Sequence, residues 1–390
     1  MTAAKKTGKK GLETEEVIRS YFLGAGFFAV RGVKLRRGDD DLTDIDLWLY
    51  ERSATLARRR IIIDIKDKAE PKAAERLFFV KGLAEIMQVE ATGVVTSDSR
   101  RSLRELARKH NVLWIDNSDL QRLKSSEKLT ASSRLTDEAI NDLIAKVDTA
   151  RSSRKVRDAF WSIKSSVGDR FGPSCANTAI DGAQHFGKLA IEAHPNSLPA
   201  QVFTRLVYFS AAIAAAALDY TSGEIALRPH AERLASLTTA IRFGEDAKGT
   251  EDKLRWTEAA IRDFAPNATG LGGVIRSGFN EAVKSVPAEG LAEVVVKMAN
   301  SDRLFRAARD LEQAAYSTEL PPFDGLSVEA RSLLGAVLDF AGIDRAVFAK
   351  SWDAGQRAST RIPKDGQRPQ VDTGDAERPS SVAADDPKLL

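Results

Sequence analysis

The chain has 390 residues, 43% of them hydrophobic and 29% charged, enough for two ordinary domains and too apolar for a disordered polymer. Fifty-eight Lys plus Arg against 55 Asp plus Glu leave a net charge of only +3, so bulk charge does not mark a nucleic-acid coat protein and any basic surface must be local. The single Cys175 excludes an intramolecular disulfide framework and a cysteine zinc cluster, and four scattered His leave little for a histidine-rich metal site. A cytoplasmic protein is expected.

In chain order, residues 1–10 carry Lys5, Lys6, Lys9 and Lys10 with no apolar stretch after them, which reads as a basic, flexible start rather than a secretory leader. Glu13 to Leu23 places Val17, Ile18, Tyr21 and Phe22 at helical spacing, with Gly24 and Gly26 where a helix stops. Phe27 to Leu35, Ile45 to Tyr50 and Ile61 to Lys66 are β-type runs separated by charged turns, able to form a meander. Lys72 to Val89 predicts a helix, Gly93 to Thr96 a buried strand, Ser99 to Lys109 a basic helix and Val112 to Ile115 another strand. The order α-β-β-β-α-β-α-β over 11–123 is that of an α/β domain.

After a polar linker, 124–134, helical periodicity takes over through residue 352. Helices are expected at about 137–150, 156–167, 199–220, 231–242, 251–264, 291–299, 302–316 and 328–341, with Thr136, Thr250, Ser301 and Ser327 as N-caps. Leu206 to Leu218 is the longest uncharged apolar stretch; it is shorter than the roughly 20 residues a spanning helix needs and reads as a buried helix, so no membrane partner is expected. Residues 353–390 hold four prolines and few large apolar residues, the composition of a disordered tail.

The chemistry concentrates in two neighbouring strands. Residues two apart share a strand face, so Ile62, Asp64 and Lys66 point together, opposite Ile61, Ile63 and Ile65. Likewise Asp44, Asp46 and Trp48 share one face, and Ile45, Leu47 and Leu49 the other. Pairing these strands brings Asp46 beside Asp64 and Lys66. Two carboxylates together on a half-buried sheet repel unless a cation offsets them, and hard oxygen ligands suit Mg²⁺. Such an ion lowers the pKa of bound water, while an ammonium orients that water or stabilises transition-state charge.

An acid followed by Asp/Glu-x-Lys inside an apolar strand, after a helix bearing glutamate, resembles the PD-(D/E)xK restriction-endonuclease-like nucleases. The strings are TDIDLWLY, Thr43 to Tyr50, and IIIDIKDK, Ile61 to Lys68; KHNVLWIDNSDLQRL, Lys109 to Leu123, resembles the closing strand and helix of the Mrr-type branch, which cuts modified DNA. The resemblance covers residues 11–123 only. It implies a central mixed sheet flanked by helices, with Asp46, Asp64 and the main-chain carbonyl of Ile65 holding Mg²⁺ or Mn²⁺ and Lys66 serving the attacking water. Glu15 or Glu16 in the opening helix occupies the family's glutamate position, and Gln88 lies in the helix after the motif. Two departures are the missing proline before Asp46 and Asp, not Glu, at position 64.

DNA needs a basic rim. Candidates are Lys5 to Lys10, Lys34 with Arg36 and Arg37, Arg58 to Arg60, and the face formed by Arg101, Arg104 and Arg108. His185 and His194 lack metal-site spacing, the glycine-rich turn at Gly270, Gly272 and Gly273 lacks the Lys-Ser/Thr pair of a phosphate loop, and Cys175 has no base partner. The expectation is a restriction-endonuclease-like α/β domain at 11–123, an all-α domain at 135–352 and a disordered tail. As a Mg²⁺-dependent DNA endonuclease it belongs to anti-phage restriction or DNA processing. The helical domain serves a protein partner, a DNA feature or a homodimer. The alternatives are a catalytically inactive nucleic-acid-binding module and an interaction scaffold.

Overall fold

The structure, a computed structural model, describes residues 3–38, 40–126, 133–148, 155–265 and 270–353, with side chains from Gly11 onward. Asp39, most of the expected linker and residues 354–390 of the expected tail lie outside the described residues. The chain divides into two units, Met1–Ala354 and Gly355–Leu390; the second lies wholly outside the description.

Helix α1 (Ala3–Gly24) opens the chain and takes in residues 3–10. Strands β1 (Phe28–Arg37), β2 (Asp40–Arg52) and β3 (Arg58–Lys66) form the expected antiparallel meander. Helix α2 (Ala73–Met87) then crosses over to β4 (Ala91–Thr96), and α3 (Arg101–Lys109) to β5 (Val112–Ile115), both parallel to β3. Parallel neighbours require such crossovers. Among the described residues the result is one mixed five-stranded sheet, order β1-β2-β3-β4-β5. Helix α4 (Asn117–Lys124) closes this part, its N-cap Asp116 accepting from the backbone of Ser118 and Asp119.

Alternation sorts the sheet's residues as the period-2 rule requires. Leu47, Leu49, Ile61, Ile63 and Ile65 pack with Ile18 and Phe22 of α1 and Leu120 of α4. Trp48, Tyr50 and Ile62 face the opposite way, onto α2 and the helical part. Ile45 departs from its expected place beside Leu47. Pairing of β2 with β3 begins at Leu47↔Ile63, and beyond it β1 and β2 form a two-stranded ribbon, free to twist more strongly. Ile45 thus joins Val33 against Gly168.

The helical part comprises α5 (Asp137–Val147), α6 (Val156–Asp169), α7 (Pro173–Glu192), α8 (Leu198–Glu224), α9 (His230–Phe243), α10 (Ala247–Phe264), α11 (Leu271–Ser285), α12 (Ala288–Ala299), α13 (Arg303–Tyr316), α14 (Val328–Phe340) and α15 (Arg345–Ser351). Three of these, α7, α11 and α15, have no counterpart in the sequence reading. Helix α7 lacks a stripe of large apolar residues because small ones let neighbours approach: a Cβ on Gly182 would sit 2.2 Å from Ile163, and one on Gly187 2.3 Å from Ile343. The glycine-rich segment is not a turn throughout, since Gly270 caps α11 and Gly272 and Gly273 lie within it. Thr136 and Ser327 do cap their helices. Thr250 lies inside α10, and α13 follows Asp302 rather than Ser301.

Helix α8, with 27 residues, is long and apolar enough to cross a membrane, but 94% of its most apolar window is buried within the protein. It is the axis of the helical part.

The two parts share a core. Trp48 and Tyr50 on the sheet stack against Phe171, with ring centroids 4.5 and 5.3 Å apart, and Tyr50 meets Phe305 edge-on at 5.4 Å. Beneath them Asp219 of α8, fully buried, accepts from Tyr50 Oη at 2.6 Å, Arg52 at 2.6 Å and Arg58 Nε at 3.0 Å. A second buried network centres on Asp137. It accepts from Arg19 of α1 at 3.2 Å, Lys164 Nζ of α6 at 2.7 Å and Tyr316 Oη of α13 at 2.6 Å. Arg19 also donates to Glu312 at 2.9 Å. Charges so deep are tolerated only when paired.

Candidate functional site

Asp64 and Lys66 stand at the C-terminal end of β3, the rim where open α/β sheets bind ligands. Asp46 lies on β2 one residue before Leu47, where the pairing with β3 begins at Leu47↔Ile63. The Lys66 ammonium brings the three side chains together. Asp46 Oδ2 accepts from Lys66 Nζ at 2.9 Å and from the main-chain N–H of Ile65 at 2.7 Å. Lys66 Nζ lies 3.8 Å from Asp64 Oδ1. The ammonium bridges two carboxylates that would otherwise repel each other. Burial of Asp46 raises its pKa above the ordinary aspartate value, with Asp64 adding to the rise, against the pull of Lys66 and the Ile65 N–H.

Glu15, rather than Glu16, belongs with this group. Burial, and next the charge of Asp46, push the Glu15 carboxyl up to about 7, with Arg31 and Lys66 opposing. Glu16 turns the other way, accepting from the backbone N–H of Asp137 at 3.3 Å and pairing with Arg31 at 3.2 Å. The helix is pinned beside β3 on both flanks. Thr14 donates to Asp67 at 2.8 Å, Lys124 donates to the same carboxylate at 2.5 Å, and Arg31 donates to the carbonyl of Leu12 at 3.2 Å.

The sequence reading missed Arg76 of α2. Its guanidinium grips Asp64 bidentately, Nε to Oδ2 at 2.8 Å and the second nitrogen to Oδ1. It also stacks over the Phe79 ring at 4.1 Å. One Arg in a helix of ordinary composition carries no signal until the crossover lays that helix along β3. Gln88, considered from its place after the motif, sits at the opposite end of α2 as its C-cap, where its carbonyl accepts from Arg60.

The basic candidates do not form one free rim. Arg36 pairs with Asp41 at 2.6 Å and Lys34 with the same carboxylate at 2.7 Å. Arg58 is the buried partner of Asp219, Arg59 pairs with Glu51 and Arg60 with Glu90. On α3, Arg101 pairs with Glu105 at 2.8 Å, and Arg104 reaches Asp116 and, at 3.2 Å, Asp119. Among the described residues Arg37 and Arg108 make no ion pair, and both are exposed. The side chains of Lys5 to Lys10 lie outside the described residues.

Whether these residues suit a divalent ion turns on their donor set. Among the described residues, no group of three or more His, Cys, Asp or Glu side chains lies close enough to hold a metal. A Mg²⁺ site needs only one or two carboxylates, the other positions going to water and substrate phosphate. Asp46 and Asp64, hard donors on adjacent strands, meet that requirement. Ile65 lies between Asp64 and Lys66 on β3, and its N–H is already committed to Asp46. Cys175 takes no part: it is buried, and burial pushes its thiol up to about 12. Compared with family models, curated proteins and solved structures, the chain matches none.

Proposed function

We propose that this protein is a metal-dependent DNA endonuclease of the PD-(D/E)xK, restriction-endonuclease-like type, acting in anti-phage restriction or DNA processing within the cytoplasm. The observation carrying this reading is the convergence of Asp46, Asp64 and Lys66 at one strand end, with Lys66 Nζ 2.9 and 3.8 Å from the two carboxylates. Surface salt bridges are rarely built from two acids on a half-buried sheet face. Asp46 and Asp64 would hold Mg²⁺ or Mn²⁺, which when bound supplies Lewis-acid polarisation of a phosphoryl oxygen and a more acidic water.

The chain's own groups do the rest. Lys66 presents Nζ toward the place where charge develops on the phosphate, while Asp46 fixes that nitrogen at 2.9 Å. Glu15, its carboxyl pushed up to about 7 by burial and by Asp46, is a hydrogen-bond partner for water at the rim. Arg37 and Arg108 remain for phosphates beyond the scissile one. The helical part, sharing a core with the sheet, serves a protein partner, a DNA feature or a second copy.

Incubating supercoiled, linear and modified DNA with the protein and Mg²⁺ tests the reading. Nicking or cutting is expected, lost on chelation and undetectable for Asp64→Ala. Equal cutting by parent and Asp64→Ala would overturn it. One observation favours a second reading, a nuclease fold that binds DNA without cutting: the Arg76 guanidinium takes both oxygens of Asp64. That reading predicts DNA binding retained in Asp64→Ala and no cleavage by the parent under any divalent ion.

A further inference from the structure

The Arg76–Asp64 pair carries an inference that rests on the nuclease reading and deepens it. A guanidinium presents a planar fork that fits a carboxylate and a phosphate diester equally well. Arg76 spends that fork on Asp64, the more buried of the two acids at the strand end, with 6% of its side chain exposed. The Arg76 side chain is itself 25% exposed, and its guanidinium rests on the Phe79 ring. Its stem comes from α2 while Asp64 sits on β3, so rotation about the stem can move the head from the carboxylate toward solvent without moving either element.

We infer that Arg76 is the binding residue for the substrate phosphate, exchanging Asp64 for a phosphate oxygen of bound DNA, so that Asp64 becomes a free metal donor only when DNA is present. Three features of the site lead there. With Arg76 on Asp64 and Lys66 between Asp64 and Asp46, both aspartate charges at the strand end are already answered by cations. A divalent ion arriving then meets two positive groups and, of the four aspartate oxygens, only Asp46 Oδ1 not already accepting a hydrogen bond, so binding is opposed. A phosphate diester adds a negative charge and draws one of those cations away. DNA and the ion therefore bind cooperatively, and by linkage each strengthens the other by the same factor. The Phe79 ring, 4.1 Å beneath the guanidinium, adds a cation–π contact that holds it over the strand end.

Mn²⁺ titration of the full chain by calorimetry, with and without a short DNA duplex, tests this in a Lys66→Met background, where cleavage is slowed and Arg76 is the cation left on Asp64. With Arg76 present, the duplex should tighten Mn²⁺ binding by about tenfold or more, within the usual range of coupling between sites. In Arg76→Met, which keeps the stem against Phe79, Mn²⁺ should bind tightly without DNA and the duplex should add less than about twofold. Arg76→Lys, retaining charge but not the fork, should fall between. The salt slope of DNA binding should drop by about one in Arg76→Met, the loss of one phosphate contact. Mn²⁺ binding by the Arg76 protein that is as tight without DNA as with it would overturn the exchange while leaving the nuclease reading standing. No Mn²⁺ bound in any arm would remove both.

Discussion

Asp137→Asn is expected to cost the fold about 3–5 kcal/mol, the range for breaking a buried charge network by removing one partner. Asp137 is the common acceptor of Arg19, Lys164 and Tyr316, with Arg31 3.7 Å away. Arg19 and Lys164 are fully buried, so the amide leaves two cations without enough counter-charge where water does not reach them. Urea unfolding checks this as a lowered midpoint at an unchanged slope. The acid side gives a second signature. Burial alone raises the Asp137 pKa, but Lys164, Arg19 and Arg31 outweigh it and hold the carboxyl well below the ordinary range. A depressed carboxylate contributes stability above its unfolded pKa, about 4, and loses that contribution as pH falls through the folded value. The gap between parent and Asp137→Asn should be full at neutral pH and narrow below about pH 4. An equal gap at pH 7 and pH 2 would contradict this.

The second large effect falls on activity. Lys66→Met should lower the cleavage rate by about 10²–10⁴-fold, the range for removing a positioned proton-bearing or charge-stabilising group. Divalent-ion binding should survive, because the methionine leaves Asp46 and Asp64 in place and removes a competing positive charge. Single-turnover cleavage at saturating Mn²⁺ separates the two quantities. A variant that cuts at the parental rate would remove Lys66 from the chemistry. One that has lost ion binding as well as cleavage would reassign it to holding the strand end together.

The strand carrying the site was readable because Ile61, Ile63 and Ile65 alternate with Ile62, Asp64 and Lys66, a period-2 pattern that fixes which side chains meet. The order of elements through Ile115 was readable for the same reason, each apolar run ending in charged or glycine-bearing turns. What failed was what depends on distant partners. Asp137 reads in sequence as an acid in the first turn of a capped helix, a position the helix dipole favours on any surface. It is instead the centre of a buried network whose other members lie on α1, α6 and α13. Arg58 reads as one of three surface arginines, yet it is buried on Asp219 from α8. Arg76 reads as an ordinary helical arginine. Local pattern gives the face of an element; it does not name the residue that a later helix brings to that face. Glu15 and Glu16 show the limit at close range, since adjacent helical positions point about 100° apart and only the packing of α1 on Arg31 and β2 decides which meets Asp46.

The two buried networks also bear on how the parts work together. Glu15 stands at the strand end while Glu16 and Arg19 of the same helix are tied to α5 and α13. The helical part therefore fixes the angle at which α1 presents Glu15.

The ion count at the strand end decides the account. Titrating Mn²⁺ into the Lys66→Met chain bound to a DNA duplex, and into the same chain carrying Asp46→Asn and Asp64→Asn, should give one tightly held ion in the first and none in the second. The same number of ions, held equally well by both, would mean that these carboxylates do not form a metal site.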